Sequence, residues 1–211
     1  MREAGFTTFL VDDDPAVLRS ITRLLNAAGY KTKSFSSPQE FLSSHDPAVP
    51  GCAIIDLVMS ELDGLHLQQA LLETGSDRPI IFLTGQGDIS TSVKAMKAGA
   101  VDFLTKPVQR EALFAAVTRA ANVDAALRQR RNESNSIGQR ISTLTHRERE
   151  VLEYVIAGRL NKQIAASLGT VEKTVKVHRG RMMAKLGVRT VADLVRLADK
   201  AGIAPAHSMV G

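Results

Sequence analysis

From the amino terminus the chain shows short apolar runs set between amphipathic stretches. The candidate strands are TTFLV (7–11), KTKSF (31–35), CAIID (52–56), PIIFLT (79–84) and VDFLT (101–105). Between them, apolar positions recur every three to four residues. Over 15–28, Val17, Ile21, Leu24 and Leu25 share one stripe, and Gly29 follows as a helix-ending glycine. Similar patterns run over 38–44, 62–73 and 90–97, and from 109 onward. Five strands alternating with helices predict a parallel sheet covered on both faces. In such sheets, sites form outside the carboxyl ends of the strands.

After Leu127 the pattern changes. RQRRNESNSIGQR is polar and charged, with Gly138 and two serines, and reads as a frayed helix end leading into a linker. Beyond it only helical periodicity remains. Thr145 and Glu148 have the spacing of a capping box, and Val151, Leu152, Val155 and Ile156 form a stripe that stops at Gly158. Ile164, Ala165 and Leu168 mark a short second helix closed by Gly169, with a third over 171–186 and a fourth over 190–201. Two short helices joined by a glycine-containing turn predict a helix-turn-helix. The expected organisation is a first domain over 1–122 and a linker over 123–142, helical and then flexible. A helical domain over 143–203 and a loose tail over 204–211 complete it.

Composition narrows the classes. Aromatics make up 4% of the 211 residues and Trp is absent, which argues against an aromatic platform for single-stranded nucleic acid. A single cysteine, Cys52, excludes an internal disulfide framework and fits a reducing compartment. The first fifteen residues carry acids and no apolar core of a signal peptide, and no run approaches the roughly 18 residues of a membrane span. A cytoplasmic protein without a membrane partner is expected. The net charge of +5 is divided unevenly: residues 1–122 carry 11 Lys and Arg against 14 Asp and Glu, whereas residues 123–211 carry 16 against 8. That asymmetry predicts a second module that meets a polyanion.

Polar residues cluster at the strand ends. Asp12 and Asp13 follow the first strand, Asp56 ends the third, Thr84 the fourth, and Lys106 the fifth. In a parallel sheet these groups converge on one edge. Three crowded carboxylates repel one another, each pair by ~4 kcal/mol at about 4 Å and an effective dielectric near 20. Lys106 offsets one charge, and a hard divalent cation such as Mg2+ would offset two more. Such a constellation suits phosphoryl transfer onto a carboxylate, with Asp56 as nucleophile, Thr84 donating a hydrogen bond and Lys106 neutralising charge. Gly85 and Gly87 leave room beside the threonine.

The third helix of the second half is strongly basic, with six Lys and Arg against one acid over 172–189. Val175, Met182 and Leu186 recur at helical spacing and should face a core. Lys173, Lys176, Val177, Gly180 and Arg181 then lie on the other faces, a display suited to the major groove of double-stranded DNA.

Two resemblances follow from these residues. VDDD, IIDLVMSELDG, FLTGQGD and AMKAGAVDFLTKP resemble the receiver domain of two-component response regulators over residues 5–122. LTHREREVL, NKQIA and KTVKVH resemble the LuxR-type DNA-binding domain of the NarL/FixJ family over 142–201, with the TGQGD and GAVDFLTKP segments favouring a FixJ-like branch. The resemblance implies an α/β flavodoxin-like receiver with a five-stranded parallel sheet, joined to a small all-α helix-turn-helix domain. It implies that Asp56 accepts phosphate from a histidine kinase. Asp13, Asp56 and the backbone carbonyl of Val58 would ligate Mg2+, with Asp12 acting nearby. Thr84 and Phe103 would form the pair that rearranges on phosphorylation, and Lys106-Pro107 would hold a cis peptide bond. In the second domain, Lys176 and Val177 would reach base edges. Lys162, Thr174 and Arg181 would hold phosphates, while His178 would pack, bind phosphate or read a base. Val191, Leu194 and Val195 on the last helix, with Leu197, would pair two copies.

Three departures stand out. Ser60 occupies a position where receivers usually carry proline, which should loosen the loop after Asp56. Val171 stands where many relatives place a capping serine; Thr170 could substitute, and a missing cap costs ~1 kcal/mol. Gly180 lies inside the basic helix at a cost of roughly 1 kcal/mol relative to Ala. The expected function is a promoter-binding transcription regulator that dimerises when phosphorylated. The alternatives are a DNA-binding regulator indifferent to phosphorylation and an aspartyl-phosphate phosphatase. The phosphatase would want a second Asp two residues after Asp56, where Val58 stands.

Overall fold

The computed structural model describes residues 5–60, 62–85 and 98–206. The helix expected over 90–97, Gly87 and the last five residues lie outside the described residues. Contacts divide the chain into two units, residues 1–128 and 129–211.

In the first unit, strands β1 (Thr7–Val11), β2 (Lys31–Phe35), β3 (Gly51–Asp56), β4 (Ile80–Thr84) and β5 (Asp102–Thr105) form one sheet in the order β2-β1-β3-β4-β5. Every pairing is parallel. Alternate residues of the three central strands enter two separate cores, as the period of two requires. Phe9, Val11, Ala53, Ile55, Ile80 and Phe82 pack on one face with Phe41, Leu67 and Leu71 of helices α2 (Pro38–Ser44) and α3 (Gly64–Glu73). Leu10, Cys52, Ile54, Ile81 and Leu83 pack on the other with Ile21 and Leu25 of α1 (Pro15–Ala27) and Leu113, Ala116 and Val117 of α4 (Arg110–Ser142). Because both faces are covered, the central strands β1, β3 and β4 read as nearly continuous apolar runs. β2 and β5 lie at the two sheet edges and are less buried, and the exposed Lys31 and Lys33 of β2 discourage edge-to-edge pairing.

Local signals start the helices. Asp14, Ser37 and Asp63 each accept a backbone N–H of the first turn of α1, α2 and α3, and proline opens α1 and α2. Gly29, with φ of 78°, ends α1 as its spacing predicts.

The second unit contains the carboxyl-terminal part of α4 with α5 (His146–Ile156), α6 (Asn161–Ser167), α7 (Glu172–Leu186) and α8 (Val191–Lys200) around one core. Thr145 and Glu148 close the capping box of α5. The linker expectation is corrected here. Residues 123–142 stay helical to Ser142, because Ile137 and Ile141 pack into the second core and Arg140 donates to the Leu186 carbonyl at 2.8 Å. The beginning of the tail is likewise held: after Ile203, which packs against that core at the end of the domain, the Ala206 N–H donates to the Glu153 carbonyl at 3.1 Å.

Candidate functional site

The parallel register delivers Val11, Asp56, Thr84 and Thr105 to the same edge of the sheet: Val11 pairs with Ile55, Asp56 with Leu83, and Thr84 with Thr105. Asp12 and Asp56 are buried there, whereas Asp13 is exposed. The Lys106 ammonium bridges the buried pair, 2.7 Å from Asp12 Oδ2 and 3.0 Å from Asp56 Oδ2. Its backbone N–H donates to the Thr84 carbonyl at 2.6 Å, which fixes the residue where β5 ends, and the Lys106-Pro107 peptide is cis. Thr84 is buried beside Asp56, and Phe103, half-buried on β5, packs against the Phe82 face of the sheet. Val58 is solvent-facing. Gly64 answers a steric demand: a Cβ there would come within 2.6 Å of the Asp56 carbonyl oxygen, so α3 can start close under the end of β3 only without a side chain.

The electrostatics follow from two buried carboxylates sharing one ammonium. Burial pushes the Asp56 carboxyl above its ordinary value; the Asp12 charge adds to this, and Lys106 opposes it. Burial alone would lower the Lys106 ammonium, yet the hydrogen bonds and charges of Asp12 and Asp56 outweigh it and hold it above the ordinary lysine value. Carboxylate oxygens of Asp12, Asp13 and Asp56 all lie within 4.8 Å of one another. Against these three carboxylates stands the single ammonium of Lys106, already shared between Asp12 and Asp56. An all-oxygen set with surplus negative charge fits a hard divalent cation of the Mg2+ type.

In the second unit, Lys162, Lys173, Lys176, Val177, Gly180 and Arg181 are exposed, while Thr174 and His178 are half-buried on α7. Val175, Met182 and Leu186 fill the core from the opposite face. Lys176 pairs with Glu172 at 3.3 Å, one turn back on the solvent side. The expected substitution of Thr170 as cap is corrected: α7 starts at Val171 with no side-chain cap, because valine has no acceptor to offer. Leu194 is also corrected. It is fully buried in the core of its own unit, whereas Val191 and Val195 are 38% and 43% exposed.

Several contacts had no signal in the residue pattern. Arg179 donates to Asn161 Oδ1 at 3.1 Å, tying α7 to the start of α6. Lys185 near the end of α7 donates to Glu148 Oε2 at 2.6 Å and to the Thr143 carbonyl at 2.9 Å. Glu148 is 2% exposed, and the Lys185 hydrogen bond holds its carboxyl below the ordinary value. The capping-box spacing points to Glu148 as a helix starter; its second partner is 37 residues away in sequence.

Comparisons with known proteins agree with this geometry. Residues 8–118 match the family described as response regulator receiver domain, and residues 142–198 match bacterial regulatory proteins of the luxR family. The chain is 40% identical over 200 residues to the response regulator protein TmoT of Ectopseudomonas mendocina, covering 95% of this chain and 91% of that protein. It is 38% identical to the transcriptional regulatory protein FixJ of Azorhizobium caulinodans, covering 93% of each. Among solved structures, the response regulator StyR superposes with a TM-score of 0.83 at 42% identity, covering 93% of this chain and 100% of that one. Full-length FixJ from B. japonicum gives 0.56 at 36% identity, with 93% and 97% covered. With a buried aspartate pair at the sheet edge, a basic helix exposed on a helical unit, and both modules matched in order, the chain belongs to the transcriptional response regulators that join a receiver domain to a LuxR-type DNA-binding domain.

Proposed function

We propose that Asp56 accepts a phosphoryl group from a histidine kinase and that this modification promotes pairing of two chains on promoter DNA. The observation that carries the reading is Asp56 itself, buried at the end of β3 and ion-paired to Lys106 beside Asp12. An Asp56 carboxylate oxygen attacks phosphorus; the O–P bond forms as the P–N bond of a phosphohistidine breaks, and the imidazole leaves with the electron pair. A divalent cation held by Asp12, Asp13, Asp56 and the Val58 carbonyl would supply positive charge against the phosphoryl oxygens. Lys106 adds its own charge, and the Thr84 hydroxyl donates to the product phosphate. Movement of Thr84 toward that phosphate opens space for Phe103 to pack inward, a population shift between two arrangements of one face.

In the DNA-binding unit, Lys176 and Val177 face base edges, while Lys162, Lys173 and Arg181 neutralise phosphates, and the Thr174 hydroxyl donates to one, positioning the helix. Gly180 admits the backbone close to the duplex, and His178 contributes packing or a phosphate contact. Val191 and Val195 form the apolar strip through which two DNA-bound copies meet. The family is one of DNA-binding regulators rather than enzymes.

Gel-shift titration with a target promoter, with and without acetyl phosphate and Mg2+, tests the switch. Phosphorylated wild type should bind more tightly than unphosphorylated, and Asp56→Asn should stay at the lower affinity. Asp56→Asn binding as well as phosphorylated wild type refutes it. Unchanged wild-type affinity on phosphorylation would instead favour a regulator indifferent to the modification.

A further inference from the structure

The loop between β3 and α3 sends one hydrogen bond across the edge of the sheet: the Ser60 backbone N–H donates to Asp13 Oδ2 at 2.9 Å. The two residues lie 47 apart in sequence, one beyond β3 and the other beyond β1. Asp13 differs from its two carboxylate neighbours in being exposed and outside the Lys106 bridge. Its charge is repelled by Asp12 and Asp56, whose oxygens stand within 4.8 Å of its own. An exposed aspartate under that repulsion would swing into solvent, where hydration is better and the field weaker. The Ser60 N–H opposes the swing. It neutralises part of the charge on that Asp13 oxygen and ties the carboxylate to the loop.

We infer that the backbone N–H of residue 60 is a positioning group for the cation site, holding Asp13 in place as an oxygen ligand before the cation arrives. The inference rests on the reading of Asp12, Asp13 and Asp56 as a divalent-cation site, and it assigns no role to the Ser60 hydroxyl. Proline at residue 60 has no N–H and cannot make this contact. The serine found here therefore changes more than loop stiffness: it adds a donor to the ligand shell. Hydrogen-bond partners of ligating carboxylates govern affinity, and their loss typically costs about 10- to 100-fold.

The test compares Ser60→Pro with Ser60→Ala in the full-length, unphosphorylated chain, titrated calorimetrically with Mg2+ alone. Ser60→Ala, which keeps the N–H, should bind as wild type does. Ser60→Pro should bind roughly tenfold or more weakly, and its rate of modification by acetyl phosphate should recover at saturating Mg2+. A Ser60→Pro affinity equal to wild type overturns the inference. So does an equal loss in both variants, which would place the effect on the hydroxyl. If wild type and Asp13→Asn both fail to bind Mg2+, the cation reading falls and takes this inference with it. A second measurement needs no proline variant. In amide NMR spectra the Ser60 N–H should lie downfield and move upfield in Asp13→Ala, and a Ser60 signal indifferent to that change overturns the proposal.

Discussion

Replacing Ile137 by Ala should lower the unfolding temperature of the DNA-binding unit steeply, although the residue lies in a stretch that reads as a polar linker. Ile137 is 6% exposed and belongs to the same core cluster as Val151, Met182 and Leu194. Truncating a buried Ile to Ala costs 2–5 kcal/mol, the spread reflecting how far the cavity collapses. Helix α4 is anchored on both sides of Ile137, by the Lys200 to Glu133 pair at 3.3 Å and by Arg140 on the Leu186 carbonyl. Collapse is therefore restricted, and ~3 kcal/mol is expected. For a unit of this size each kcal/mol moves Tm by about 4–8 °C, so the shift should be on the order of 15 °C. The neighbouring Gly138 supplies the opposite control. A Cβ there would meet nothing within 4 Å, so Gly138→Ala should stabilise the helix by about 0.5–1 kcal/mol. Differential scanning calorimetry of the full chain, with the two units resolved as separate transitions, reads both effects. If Ile137→Ala and Gly138→Ala both leave each transition within about 1 °C of wild type, the segment is a flexible linker and the reasoning fails.

Three further outcomes are expected. Glu148→Gln should destabilise the DNA-binding unit by about 2 kcal/mol at pH 7, since it removes a charged hydrogen-bond acceptor for Lys185. Because the folded Glu148 carboxyl is held low, its contribution is present above the unfolded glutamate pKa of about 4.3 and is lost as pH falls through the lower folded value. Urea unfolding across pH should show a shallower acid limb in the Gln variant, and identical limbs would contradict the assignment. Gly64→Ala should destabilise the receiver by ~2 kcal/mol and slow labelling of Asp56 by acetyl phosphate, since its Cβ would press on the Asp56 carbonyl and on Phe82. Normal labelling kinetics in a folded Gly64→Ala protein would count against that packing account. Arg181→Ala should weaken promoter and random DNA alike and reduce the slope of log K against log salt by about 0.9, as removal of one phosphate contact requires. Loss confined to the specific site would show instead that Arg181 reads bases.

The residue pattern anticipated some elements better than others, for reasons that differ element by element. β1 and β2 coincide with their candidate segments, and β3, β4 and β5 differ by one residue at their starts. Strands buried on both faces leave nearly continuous hydrophobic runs. The cluster of Asp12, Asp13, Asp56, Thr84 and Lys106 was legible because a parallel sheet brings every strand end to one edge. The last helix misled in part. Its apolar stripe carries Val191, Leu194, Val195 and Leu197, and periodicity places them near one another without saying what covers each. The structure buries Leu194 and Leu197 in their own core and leaves the two valines exposed. The polar stretch after Leu127 misled more. Two isoleucines among charged neighbours are too sparse for a periodic signal, yet a core already built by α5, α7 and α8 needs only those two to hold the helix.

The sequence by itself determined the two-module organisation, the strand ends that carry the acids and the basic helix. Each of these is written in side-chain identity at short range. Only the tertiary structure decided that Lys106 bridges Asp12 and Asp56, that Glu148 meets Lys185, and that the Ser60 N–H reaches Asp13. Such contacts join residues tens of positions apart, and the last uses a backbone donor that all residues but proline possess. Folding alone selects which of those donors meets a carboxylate.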